Sequence, residues 1–83
     1  MKLLYFAWLR THIGIGEETV SPPHTVTTVA DLIDWLRSRG DGYAEALQHD
    51  GVIRVAVNQT FAEMTTPVGD GDEVALFPPM TGG

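Results

Sequence analysis

The sequence has no cysteine. That excludes disulfides, iron–sulfur clusters, thiolate zinc sites and cysteine nucleophiles together. No apolar run is long enough to span a bilayer, and no basic stretch leads into a long apolar core at the N-terminus. The expected location is therefore the cytoplasm, with no membrane partner. Basic residues are scarce: Lys2, Arg10, Arg37, Arg39 and Arg54, against eleven Asp and Glu, for a net charge of −6. This is no nucleic-acid footprint. An acidic balance suits a protein partner with a basic docking surface, where it would mainly speed encounter. His12, His24 and His49 are scattered without metal spacing and read as surface residues. Asp70, Asp72 and Glu73 lack the glycine and twelfth-position glutamate of a calcium loop. Gly14-Ile15-Gly16 lacks the third glycine of a dinucleotide fingerprint and reads as a turn. No Ser or Thr has a recognisable His and acid constellation, so a self-contained active site is not expected.

What remains is an ordinary small domain. The 83 residues are 43% apolar and 19% charged, which fits a folded globule rather than a disordered chain. One domain is expected over residues 1–83, with a flexible tail over 78–83.

Residues 2–10 read as a strand, apolar and aromatic. Lys2 and Arg10 mark one parity as outer, with Leu4, Phe6 and Trp8. Leu3, Tyr5, Ala7 and Leu9 then face the core. A turn over 11–16 leads to a second strand near Glu17–Ser21, closing a hairpin, and Pro22-Pro23 marks it as an edge. Thr28 and Asp31 form a capping-box-like start to a helix of about eleven residues. Val29, Leu32, Ile33 and Leu36 make its apolar stripe, and Gly40 stops it. Trp35 lies at the flank of the stripe. A second short helix is expected over Tyr43–Gln48. Residues 52–57 form a third strand with Ile53, Val55 and Val57 inside. Asn58-Gln59-Thr60 turns the chain, Phe61-Ala62-Glu63 is a short strand, and 69–72 is a tight turn. The last strand is Glu73–Phe77, with Val74 and Leu76 inside.

This order predicts an α+β fold of β-grasp type, a mixed sheet with one main helix packed on one face. The first and last strands should be parallel central neighbours. Parity also places all three phenylalanines, Phe6, Phe61 and Phe77, on the face away from the helix. An exposed aromatic cluster of that kind marks a contact surface.

The final strand runs into Pro78-Pro79-Met80-Thr81-Gly82-Gly83. Two prolines stiffen the exit in polyproline II form. Thr81 favours extension, and Gly82 and Gly83 can enter a slot too narrow for a side chain. Pro79 to Gly83 reaches about 16 Å. The group at the tip is the Gly83 carboxylate. A free terminal carboxylate has a pKa of about 3.5 and is a poor electrophile, so it must first become a mixed anhydride, for example with AMP. A sulfur nucleophile can then displace AMP and leave a thiocarboxylate. The lack of cysteine fits, because no internal thiol can intercept the activated end.

Three segments carry a family resemblance: Ala56-Val57-Asn58-Gln59-Thr60, Asp70-Gly71-Asp72-Glu73-Val74-Ala75, and Phe77-Pro78-Pro79-Met80-Thr81-Gly82-Gly83. With Leu4-Tyr5-Phe6-Ala7 and Thr28-Val29, they resemble the small subunit of molybdopterin synthase. The likeness is weakest over 11–27 and 38–50. It implies a ubiquitin-like fold and adenylation of Gly83 by an E1-like enzyme using ATP, with no cofactor bound by the chain itself. It implies a sulfur donor protein, then insertion of Pro79, Met80, Thr81 and Gly82 with the loaded Gly83 into the large synthase subunit. Sulfur would pass there to cyclic pyranopterin monophosphate, building the dithiolene. Two sulfurs per pterin imply two loaded carriers and a heterotetramer, with catalytic side chains on the large subunit. Phe6, Phe61 and Phe77 match apolar interface positions of the family. Two related readings stay open. A thiazole sulfur carrier shares the chemistry but usually lacks the Phe-Pro-Pro-x-Thr ending, and a ubiquitin-like modifier would instead join its terminal glycine to lysines.

Overall fold

The structure, a computed structural model, describes residues 1–48 and 52–79. Among these, the elements run β1 (Lys2–Tyr5), α1 (Ala7–Ile13), β2 (Glu17–Thr19), α2 (Val29–Arg37), α3 (Asp41–Ala46), β3 (Arg54–Val57), β4 (Thr60–Ala62) and β5 (Glu73–Phe77). One sheet has the order β2-β1-β5-β3-β4. β1 and β5 are parallel, and the other neighbours are antiparallel. β5 is therefore the middle strand, and β2 is an edge, as Pro22-Pro23 predicts. This is the ubiquitin-like β-grasp arrangement.

α2 starts where the sequence places it. Thr28 Oγ1 accepts the Asp31 N–H at 3.2 Å, and Asp31 Oδ2 accepts the Thr28 N–H at 3.2 Å. The Asp31 carboxylate also takes the Thr27 N–H and hydroxyl, and these bonds hold its pKa below the usual aspartate range. Replacing Thr28 with Ala should cost about 1 kcal/mol in chemical denaturation. Val29, Leu32, Ile33 and Leu36 are fully buried against Leu3, Tyr5, Val55, Val74 and Leu76 from the sheet. Each such aliphatic side chain stabilises the fold by about 1.5–3 kcal/mol.

The expected strand over 2–10 is corrected: it ends at Tyr5, and α1 occupies its second half and the first half of the expected turn. Ala7 takes φ 55°, a sharp bend that lifts the chain off the sheet. Leu9 is then fully buried and Ile13 packs against the core, an i,i+4 pair on one helical face. Ala7, expected inside, is exposed. Gly14 closes α1 in the left-handed region at φ 97°, donating its N–H to the Arg10 carbonyl. α3 spans Asp41–Ala46 rather than Tyr43–Gln48. It lies so close to α1 that a Cβ on Gly42 would stand 2.6 Å from the His12 carbonyl oxygen. The main helix thus has two short companions.

Glu18 ties these parts together. Its Oε2 accepts the hydroxyls of Tyr5 and Tyr43, both at 2.7 Å, and its Oε1 meets Arg39 Nη1 at 3.0 Å. The Arg39 guanidinium also lies over the Trp35 and Tyr43 rings. Burial alone pushes the Glu18 carboxyl up. The hydrogen bonds from Tyr43, Tyr5 and Arg39, with the Arg39 charge, outweigh it and hold the group below the usual glutamate range. A depressed folded pKa stabilises the fold above the unfolded value, and that stability is lost as pH falls through the folded pKa. Glu18→Gln should therefore destabilise the protein by about 1–3 kcal/mol at pH 7. The gap from the parent should shrink in acid, as read from denaturation midpoints between pH 7 and 3.

Candidate functional site

Strand register sets out the face opposite the helices. Leu4 pairs with Ala75, Ala75 with Ala56, and Ala56 with Phe61, so these four form one row. The small Ala75 and Ala56 leave a shallow floor between Leu4 and Phe61. The next row, Tyr5, Leu76, Val55 and Ala62, points to the helices. The row after it returns to the open face with Phe77, which pairs with Arg54.

Phe6 follows β1 directly, and its N–H donates to the Leu76 carbonyl at 3.2 Å. This sets Phe6 beside the end of β5. Phe61 is 81% exposed and Phe6 48%. Phe77 is half-buried, its ring 6.1 Å from that of Phe61 and tilted by 55°. The parity expectation for the three rings is met: they lie on the side away from α2. Two aromatic rings this exposed, next to a floor of alanines, make an apolar patch on the open face.

β5 delivers the chain to the end of this face. Its start is fixed by a side-chain clamp that sequence spacing does not reveal. Asn58, at φ 51° in the β3–β4 turn, donates from Nδ2 to Asp72 Oδ1 at 2.9 Å. Asn58 Oδ1 accepts the Glu73 N–H at 3.0 Å, and Asp72 Oδ2 accepts the Gly69 N–H at 2.8 Å. The bond from Asn58, then that from Gly69, holds the Asp72 carboxyl below the usual aspartate range. The two interior segments that carry the family resemblance thus meet in one clamp at the root of β5. Asp72 serves this turn.

Pro78 and Pro79 follow β5 and are half-buried. Met80, Thr81, Gly82 and Gly83 lie outside the described residues, as does His49. Sequence reasoning also passed over α1, which carries Trp8, 39% exposed, alongside Phe6. Its signal was the Leu9–Ile13 spacing ahead of Gly14. Among the described residues, no group of three or more His, Asp and Glu is placed to hold a metal, and no helix is long and apolar enough to cross a membrane.

Comparison with known proteins places this geometry. The chain is 41% identical over 83 residues to the molybdopterin synthase sulfur carrier subunit of Escherichia coli, covering all of this chain and 99% of that protein. Its structure is similar to a putative molybdopterin converting factor, subunit 1, from Pyrococcus furiosus, with a TM-score of 0.77, 29% identity and 95% of each chain covered. It is also similar to the crystal structure of SAMP1 from Haloferax volcanii, with a TM-score of 0.74, 33% identity, and 100% and 98% of the two chains covered. The model of the ThiS family matches residues 3–83, running from β1 through Gly83, and the chain belongs to that family.

Proposed function

We propose that this chain is the sulfur carrier subunit of a molybdopterin synthase, with the Gly83 carboxylate as its working group. The observation that carries the reading is where the chain leaves the sheet: Phe77-Pro78-Pro79 exits the middle strand at the edge of the phenylalanine face, and the sequence continues as Met80-Thr81-Gly82-Gly83. Full-length similarity to a sulfur carrier subunit supports it. One surface can therefore dock a partner while the tail enters that partner's active site.

The chemistry follows in three steps. In an E1-like activating enzyme, a Gly83 carboxylate oxygen attacks the α-phosphorus of ATP and pyrophosphate leaves. A sulfur donor protein then supplies a sulfur nucleophile that attacks the acyl carbon. The bond to AMP breaks and leaves an acyl disulfide to the donor; a second thiol of the donor system attacks the donor sulfur, forms a disulfide with it, and leaves the chain as a thiocarboxylate. In the large synthase subunit, that sulfur bonds to cyclic pyranopterin monophosphate, and water cleaves its bond to the Gly83 carbonyl so that the tail returns to a carboxylate. The chain binds neither ATP nor pterin in this scheme. Its own contributions are a stiff exit, a narrow tip and a docking face. Pro79, Met80, Thr81 and Gly82 line the partner's slot, and Phe6, Phe61 and Phe77 hold the globule against it.

Chemically thiocarboxylated chain, mixed with the large subunit and cyclic pyranopterin monophosphate, tests this directly. Two chains should be consumed for each molybdopterin formed. Pterin sulfuration that proceeds without consuming the thiocarboxylate would contradict it. The similarity to small archaeal modifier protein 1 from Haloferax volcanii keeps one second reading, a protein modifier. That reading requires the Gly83 carbonyl to be recovered in amide linkage to lysines of other proteins.

A further inference from the structure

The net charge of −6 suggests a basic partner, but the charges are not spread evenly. Asp31 and Asp34 sit on α2, and Asp41 and Glu45 on α3, all on the helical side. Glu18 and Asp72 are engaged by hydrogen bonds. On the open sheet face, Glu17 is taken by Lys2 at 3.6 Å, and Glu73 lies opposite Lys2 in register, at the end of the face away from the phenylalanines. Two exposed guanidiniums flank the phenylalanines. Arg54 pairs in register with Phe77 and shares a shallow concavity with Phe61. Arg10 shares a second concavity with Leu4 and Phe6, its side chain lying over Gly16, where a Cβ would stand 3.1 Å from Nε. Among the described residues, neither arginine has an ion-pair partner. Glu63 lines the same concavity as Arg54, and no ion pair joins them.

We infer that Arg10 and Arg54 select a partner surface bearing carboxylates on either side of an apolar centre, and that the large synthase subunit presents such a surface to this face. The inference rests on the docking reading above. An exposed guanidinium beside a ring cluster becomes a rim charge once the rings are covered. Rim charges steer encounter and fix register, and like charges placed opposite each other there are costly. Arginine suits the role because its planar fork can meet a carboxylate with two hydrogen bonds. The overall acidity then keeps the free chain soluble, while the contact itself is made by local positive charge.

Calorimetry against the purified large subunit separates the two ideas. R10E and R54E should each weaken binding by about 10-fold, and the double variant by about 100-fold. Parent affinity should fall with added salt. K2E makes the same change in net charge on the same face, but at the far end of β1, and should alter affinity by less than about 3-fold. Equal losses in K2E, R10E and R54E would reduce the effect to net charge and overturn the inference. Parent-like binding by R10E and R54E would overturn it too, and a loss in Phe61→Ala alone would then leave the docking reading standing. If Phe61→Ala also binds like the parent, both fall. Circular dichroism checks that each variant is folded.

Discussion

Deleting Gly83 is expected to abolish sulfur transfer and leave the fold untouched. The shortened chain still ends in a glycine carboxylate, so its intrinsic reactivity is unchanged. What changes is reach, by about 3.3 Å. Reaction geometry is far less forgiving than that: a 1 Å misplacement can cost about 100-fold, so the loss should be at least of that order. Adding one glycine after Gly83 should be nearly as damaging, for the same reason with the opposite sign. Among the described residues, the buried core runs through Leu76 and includes nothing beyond it at this end. The melting temperature should therefore move by no more than about 1 °C. A large drop in melting temperature would mean that the end residue is part of the fold, and near-normal transfer would mean that position along the tail does not matter.

The second large effect is expected at the phenylalanine face. Phe61 is 81% exposed, so Phe61→Ala should change stability by less than about 0.5 kcal/mol. If the ring is buried in a partner, the same substitution should weaken binding by about 2 kcal/mol, near 30-fold in Kd. Phe77→Ala should cost a similar amount of binding, with some stability as well, because that ring is half-buried. The two rings touch at 6.1 Å, so the double variant should lose less than the sum. Unchanged affinity in calorimetry for both single variants would remove the face from the contact.

The parts of the fold that were legible in the sequence are those fixed by local signals. β5 matches its expected bounds because Gly69-Asp70-Gly71-Asp72 starts it, Pro78 ends it and its parity is clean. α2 was legible because Thr28 and Asp31 cap it and four apolar residues repeat at helical spacing. α1 was not. Residues 2–10 satisfy a strand's alternation, the helical Leu9–Ile13 pair only begins within them, and nothing in Phe6-Ala7 announces a positive φ. Leu9 is buried under either reading, so the wrong period still gave a correct core residue.

The Glu18 cluster and the Asn58–Asp72 clamp join residues far apart in sequence, and only the folded sheet brings them together. The phenylalanine face was legible through parity alone, because each ring shares its alternation with a charged marker. Arg10 was treated as such a marker, and Arg54 falls on the outer parity of its strand. Arg54 stands beside Phe77 through register, and Arg10 beside Phe6 through α1, and the sequence displays neither. The role given to Gly83 comes from the chemistry of a terminal carboxylate and from family likeness.

The sharpest test is the intact mass of the purified chain after incubation with ATP, an E1-like activating enzyme and a sulfur source. The expected product is the whole chain with one oxygen at Gly83 replaced by sulfur, and with the exchange abolished when ATP is withheld. A chain that keeps its mass under these conditions, or is recovered only as branched adducts on lysine, would contradict a sulfur carrier.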